Sequence, residues 1–182
     1  MLVQDAQKEV RTVYAGGFFG QLVSSTLWLI SAALGTWGTP RAAILQLVCC
    51  GFFIFPLTQL MLHLSGRPIA VRCENPLHFL GMQIAFTLPL SMLLLFPVCN
   101  FRLGLFYPAL MILLGTHYLP FTFLYGMRMF LLLASILIGA GVVIGMYFPA
   151  PFSIGGWVGG LTLLVFALTG RALVAPSINA HA

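Results

Sequence analysis

The feature that most constrains this chain is a series of long apolar runs that contain no acidic residue. The three acidic residues, Asp5, Glu9 and Glu74, lie at or outside the ends of those runs. Charged residues make up 6% of the 182 residues, whereas soluble domains carry roughly 25%. So few charges cannot cover a water-exposed surface. The sequence therefore predicts an all-α protein that crosses a membrane several times as a polytopic helix bundle.

Six stretches of the chain have the length and apolarity of a membrane-spanning helix, which needs about 20 mostly apolar residues. Turn-forming residues separate them, as in GTWGTPR at 35–41 and SGRPIAVRCEN at 65–75. The predicted spans are residues 13–36, 42–63, 76–98, 103–125, 128–148 and 155–173. The break at 126–128 is the shortest, and one long kinked helix is the alternative there. We expect residues 1–182 to form a single transmembrane domain without a soluble domain.

The distribution of arginine and lysine predicts the orientation. With six spans, both termini lie on the same side of the membrane. That side carries six basic residues: Lys8, Arg11, Arg67, Arg72, Arg128 and Arg171. The other side carries Arg41 and Arg102. Because cytoplasmic loops hold the excess of lysine and arginine, we expect both termini to lie in the cytoplasm.

Polar side chains within the predicted spans are concentrated in the cytoplasmic half. The stretch GTHYLPFTFLYGMR at 115–128 is the most polar, and His117 within it lies about 12 Å from the inner end of its span at 1.5 Å per residue. Polar groups facing lipid are costly, so we expect them to line a pocket that is open, or nearly open, to the cytoplasm. The predicted lining is His117, Tyr118, Tyr125, Gln21, Gln59 and Gln83. The predicted rim is His63, Arg67, Arg72, His78 and Arg128.

A structural role is the alternative for each of these side chains. Glutamines within spans often form hydrogen bonds between helices, and a buried histidine can serve the same purpose. Small residues at helix-packing spacing support close contacts between helices, within the chain or between copies. Four GxxxG pairs have this spacing: Gly16 and Gly20, Gly141 and Gly145, Gly155 and Gly159, and Gly156 and Gly160.

Several kinds of chemistry have no signature in the sequence. No carboxylate lies within a predicted span, which argues against a proton relay and against a cation site. The histidines lack metal-ligand spacing, and the four cysteines include no CxxC pair. No GxSxG, HExxH, P-loop or dinucleotide fingerprint occurs. We therefore expect no metal and no cofactor, and an enzymatic activity is weakly supported.

Short motifs along residues 14–146 resemble a family of small bacterial integral membrane proteins of unknown function. The motifs are YAGGFFG, STLWLISA, GFFIFPL, GRP, NPLHFLGMQ and FYPALMILLGTHYLPFTFLYGMRMF, and the last is the most distinctive. The resemblance implies a compact multi-span protein of the bacterial cytoplasmic membrane. In similar members the position of His117 is often arginine, which weakens a role peculiar to histidine. The resemblance implies no activity.

Three function hypotheses remain open from the sequence. The first is a module that binds or transports a small ligand or a lipid in the cytoplasmic-half pocket, where an anionic or zwitterionic ligand fits the arginine rim. The second is a non-catalytic structural subunit of a larger membrane complex. The third is a membrane enzyme acting on lipids with His117 as a general base. The expected partners are membrane lipids and either further copies of this chain or partner membrane subunits, with no nucleic acid.

Overall fold

The computed structural model describes residues 1–147 and 151–179, with side chains to residue 174, and all regular structure in that part of the chain is helical. The ten α-helices of the described residues are α1 (Val3–Val13), α2 (Phe18–Trp37), α3 (Pro40–Gly51), α4 (Ile54–Leu64), α5 (His78–Ser91), α6 (Leu95–Phe101), α7 (Phe106–Tyr118), α8 (Phe121–Tyr125), α9 (Met129–Met146) and α10 (Ile154–Asn179). Short 3₁₀ turns join α1 to α2, α5 to α6 and α6 to α7.

Five helical stretches are long and apolar enough to cross a membrane. They are Ala15–Trp37, His78–Phe101, Leu103–Tyr125, Met129–Met146 and Ile154–Val174. The helices α3 and α4 meet at a bend of 56° and together give a sixth candidate span. The prediction of an all-α polytopic bundle is therefore confirmed.

The helix boundaries follow from local chemistry. The side chain of Thr39 accepts a hydrogen bond from the backbone N–H of Ala42 at 3.2 Å, and Pro40 occupies the first turn of α3. Between the fourth and fifth spans, α8 ends at Tyr125 because Gly126 has φ +62°, a left-handed conformation that glycine adopts most easily. Spans four and five are therefore separate helices rather than one kinked helix.

Close packing in the bundle uses the glycines. The antiparallel pair α7 and α9 meets where Gly141 lies against the carbonyl of Pro108 and Gly115 lies against Ile138. The helix α10 packs on α2, where Gly159 lies so close to the Trp28 ring that no Cβ would fit between them. These contacts lie within one chain, so the glycine faces of α9 and α10 are already occupied by neighbouring helices of the same bundle.

The third span has the smallest buried share of the five continuous spans. In its apolar window, 11% of the residues are buried, against 28% to 44% in the other four. Its first half, α5, packs on α7 mainly through the buried side chain of Ile84. Most of its surface therefore faces outward from the chain.

Candidate functional site

The amphipathic helix α1 brings the basic residues together at one end of the bundle. Its apolar side chains Ala6, Val10 and Val13 are buried against the bundle. The side-chain amide of Gln7 donates to the carbonyl of Phe123 at 2.6 Å, which fixes α1 against α8. The connection 65–77 and the break after α8 meet at this same end. We call it the basic end, defined by Lys8, Arg11, Arg67, Arg72 and Arg128.

An ion pair and a buried amide fasten α1 to the connection that precedes α5. The carboxylate of Glu9 accepts from the Arg72 backbone N–H at 2.9 Å and from its Nε at 3.2 Å. The buried amide of Asn75 donates to Glu9 at 3.0 Å, and its Oδ1 accepts from the N–H of Leu77. The backbone hydrogen bond from Arg72 is the largest influence that holds the pKa of Glu9 below its ordinary value. The Nε of Arg72 is thus engaged within the chain, while its side chain as a whole is 72% exposed.

A groove of about 550 Å³ opens at the basic end beside this contact. It is lined by Arg11, Gly126, Met127, Arg128, Met129, Leu173 and Val174. The guanidinium of Arg11 donates to the carbonyl of Tyr125 at 2.6 Å, while Arg128 is exposed. Two cationic groups and several apolar side chains therefore face one concave surface. Its chemistry suits an anion that is attached to an apolar body.

Four aromatic rings form a layer deeper in the bundle, behind the groove. Tyr125 stacks on Phe121 at 5.6 Å, and Tyr118 stacks on Phe130 at 6.1 Å. The layer lies against Gly17, since a Cβ there would lie 3.2 Å from the Phe130 ring. The predicted lining residues Tyr118 and Tyr125 are thus both buried and contact the same two rings, Phe121 and Phe130.

His117 contacts both this aromatic layer and α5. Its ring lies 5.1 Å from that of Phe121, and its Nδ1 is 3.0 Å from the hydroxyl oxygen of Thr87. At 1.5 Å per residue, Thr87 is about 14 Å from the start of α5 and His117 is about 12 Å from the end of α8, so the two lie at one depth. The Thr87 hydroxyl donates its single hydrogen to the carbonyl of Ile84 at 2.7 Å. It can therefore only accept from His117, which assigns the proton to Nδ1 and leaves the Nε2 lone pair available.

The three predicted glutamines occupy different environments. Gln21 is 2% exposed, and neither atom of its amide has a hydrogen-bond partner among the described residues. Gln59 is partly buried, and its carbonyl oxygen also lacks a partner there. Gln83 lies on the exposed outer surface of α5. Gln83 therefore does not share an interior surface with Gln21.

The predicted rim residues have different surroundings as well. Arg67 donates to the carbonyl of Thr12 at 2.8 Å, so it supports the end of α1. His63 is exposed at the end of α4, and the half-buried ring of His78 contacts that of Phe79 at 5.5 Å. Of the five rim residues, Arg128 alone is among those that line the groove. No group of three or more histidine, cysteine or acidic side chains in the described part of the chain has the arrangement of a metal site.

The sequence as a whole decides the family. A family model described as a family of unknown function, DUF7010, matches residues 3–171. The chain belongs to the DUF7010 family. This membership confirms the resemblance to an uncharacterised family, and with the apolar helices it identifies an integral membrane protein of unknown function. No curated protein and no solved structure matches the chain significantly.

Two features of this DUF7010 member did not follow from reading the sequence. Glu9 and Asn75 are 66 residues apart, and their contact depends on α1 folding back over the basic end. Ser31 and Tyr107 share a buried hydrogen bond of 2.6 Å, and Ser31 also donates to the carbonyl of Ala43. Two of the chain's three acidic residues, Asp5 and Glu9, lie in the amphipathic α1, and this was the available signal for the first contact. The second had no sequence signal.

Proposed function

We propose that this protein is a membrane module that binds an anionic lipid headgroup in the groove at the basic end. The observation that carries the proposal is the convergence of Arg11 and Arg128 on one concave surface with Met127, Met129 and Leu173. The phosphate would contact the two guanidinium groups, and the acyl chains would follow the apolar side chains outward. Basic pockets between helices on the cytoplasmic side bind lipid headgroups in this way.

The charge balance supports an anion rather than a cation. In the described part of the chain, no carboxylate lies within ion-pair distance of Arg11 or Arg128. Glu9 forms its ion pair with Arg72 instead. Two guanidinium groups without a counter-ion favour a ligand with at least one negative charge, and their planar donors match phosphate oxygens. The charge bias of the loops would place this groove at the cytoplasmic surface of the cell membrane.

The position of α1 supports a lipid over a free phosphate. This helix has a charged face and a buried apolar face, which is typical of a helix lying in the plane of the membrane interface. The groove that it borders would then be at the depth of lipid headgroups. A small soluble anion would reach the same arginines but would leave Met127, Met129 and Leu173 without an apolar contact.

Lipid retention in native mass spectrometry tests the proposal. The protein is purified in mild detergent with a mixture of phosphatidylglycerol and phosphatidylcholine, and bound lipids are counted for the wild type and for Arg128→Gln. We expect the wild type to retain phosphatidylglycerol preferentially and Arg128→Gln to lose that preference. Arg102→Gln is the matched control, since Arg102 is also exposed but lies between α6 and α7, away from the basic end. Equal retention by wild type and Arg128→Gln would exclude the groove as the site.

A second candidate function is a non-catalytic subunit of a larger membrane assembly. The loosely attached third span favours it, because a helix with 11% of its apolar window buried has most of its surface available for a partner. Purification from the native membrane distinguishes the two candidates. A fixed set of other polypeptides supports the subunit role, whereas bound anionic lipid without them supports the lipid-binding role.

A further inference from the structure

The outer surface of α5 carries a polar group within a candidate membrane span. Gln83 lies about 8 Å beyond the start of α5 at 1.5 Å per residue, within the span His78–Phe101. Its side chain is exposed and forms no hydrogen bond with the described residues. Its amide has two donor hydrogens and one acceptor oxygen, all of which cost free energy when they face hydrocarbon.

The surroundings of Gln83 form a continuous surface rather than an isolated position. Thr87 follows Gln83 by one helical turn. On the side of Gln83 away from Thr87 lie Phe79, Phe86 and Leu90, whose exposed fractions are 69%, 64% and 66%. The hydroxyl of Thr87 is satisfied by Ile84 and His117, so it needs no outside partner. Gln83 is thus the one polar group of this face whose hydrogen bonds are left to another molecule.

We propose that this face of α5 is the contact between two copies of the chain, related by a two-fold axis along the membrane normal. Two copies inserted in the same direction have their Gln83 residues at the same depth. An amide is both donor and acceptor, so two glutamines across such an axis satisfy each other, as an interface between identical surfaces requires. Phe79, Phe86 and Leu90 would pack around the pair.

Other outer surfaces of the bundle suit such a contact less well. The pair α3 and α4 also exposes large apolar side chains, among them Phe52, Phe53 and Phe55, but its glutamines Gln46 and Gln59 are partly buried rather than exposed. The glycine faces of α9 and α10, which would otherwise suit helix association, are filled by Pro108, Ile112, Tyr107 and Trp28 of the same chain. An apolar partner helix would leave the Gln83 amide as unsatisfied as lipid does. A second copy of the chain, in contrast, brings its own Gln83 amide to the same position.

Cysteine cross-linking in membranes tests the proposal directly. The four native cysteines, at positions 49, 50, 73 and 99, are first replaced by alanine. In this background we compare Leu90→Cys, which lies two turns from Gln83 on the same exposed face, with Ala85→Cys, which is exposed on the opposite flank of α5. Both variants keep the Gln83 amide. Copper phenanthroline should convert Leu90→Cys to a species of twice 19.8 kDa and leave Ala85→Cys as monomer. A cross-link at Ala85→Cys but not at Leu90→Cys, or at neither position, overturns the proposal.

The affinity between copies provides a second measurement on the intact chain. Fluorescence energy transfer between labelled copies in liposomes gives a dissociation constant for the wild type, Gln83→Leu and Gln83→Asn. Each hydrogen bond within a membrane accounts for about a 3- to 20-fold change in affinity. We expect Gln83→Leu to weaken association by at least the lower value and Gln83→Asn to restore part of it. Unchanged association in Gln83→Leu contradicts a role for the amide.

Discussion

The imidazole of His117 donates from Nδ1 to the hydroxyl of Thr87, 3.0 Å away on the neighbouring span. This hydrogen bond joins α5 to α7 at a point where α5 has few other contacts with the bundle. It also gives His117 a structural function, which requires one hydrogen-bond donor at the position of Nδ1. The same geometry leaves Nε2 as an acceptor, so the residue could serve a ligand without losing its contact with α5.

Replacing His117 by asparagine or glutamine separates these two roles. The amide nitrogen of asparagine reaches the position of Nδ1, whereas that of glutamine reaches the position of Nε2. We expect His117→Asn to keep most of the stability, and His117→Gln to lose about 0.6–1.7 kcal/mol, the range for hydrogen bonds within membranes. Unfolding in sodium dodecyl sulfate, followed by tryptophan fluorescence, measures the difference.

Thr87→Val is the control for the His117 variants because it removes the acceptor without changing the shape much. In a double-mutant cycle, Thr87→Val and His117→Gln together should cost little more than either alone. Additive losses would mean that the two side chains stabilise the bundle independently.

Acidification should loosen α1 from the bundle through Glu9. Its pKa is held below the ordinary value of 4.5, chiefly by the backbone N–H of Arg72. A depressed folded-state pKa stabilises the protein above pH 4.5, and that stability is lost as the pH falls through the folded-state value. We expect the hydrogen-exchange protection factors of residues 3–13, which are corrected for the pH dependence of intrinsic amide exchange, to fall below pH 4.5 in the wild type.

Glu9→Gln is the matched variant for this experiment. It should already have lower protection factors at pH 7 and should lack the acid-dependent decrease that the wild type shows. Asp5→Asn serves as the control, since Asp5 is an exposed acid of the same helix. An unchanged acid response in Glu9→Gln would assign the effect to another group.

The glycines of α9 and α10 permit a comparison between packed and open positions. A Cβ at Gly159 would collide with the Trp28 ring, whereas a Cβ at Gly139 would have no atom within 4 Å. We expect Gly159→Ala to destabilise the protein by about 1–3 kcal/mol, as overpacking of a close contact does. Gly139→Ala should be neutral or stabilising by up to about 1 kcal/mol, because alanine favours the helix. Thermal unfolding in detergent measures both, and equal effects would contradict the packing of α10 on α2.

How far the sequence predicts this molecule depends on the range of each interaction. Apolar runs and turn residues act locally, which is why the candidate spans of the structure lie close to the predicted ones: Ala15–Trp37 compares with 13–36, and Ile154–Val174 with 155–173. The gathering of arginines at one end followed from their positions between those runs. The contact of Glu9 with Asn75 and that of Ser31 with Tyr107 join residues 66 and 76 positions apart. Side-chain pairs at that separation depend on how the helices pack, which periodicity does not encode.

The sequence also could not predict which polar side chains point into the bundle and which point outward. Gln21 and Gln83 have similar chemistry and similar predicted depth, yet Gln21 is 2% exposed and Gln83 lies on the outer surface. Their helices are apolar on every side, so no amphipathic pattern distinguishes the inward face from the outward face. The rule that polar groups turn inward held for Gln21, and a second chain at the outer face would satisfy Gln83.

Replacing the buried amide of Gln21 tests whether the interior of the bundle holds a polar ligand or water. Both of its polar atoms lack a partner among the described residues, and an unsatisfied buried amide costs about 1–3 kcal/mol. Gln21→Met fills nearly the same volume without that cost. If the interior is dry, we expect the variant to unfold at a higher temperature than the wild type. If a bound polar molecule satisfies the amide, Gln21→Met should instead be less stable and should lose that molecule in native mass spectrometry. Gln46→Met is a useful comparison, because the carbonyl oxygen of Gln46 is also buried and unpartnered, but it lies on α3, outside the predicted pocket.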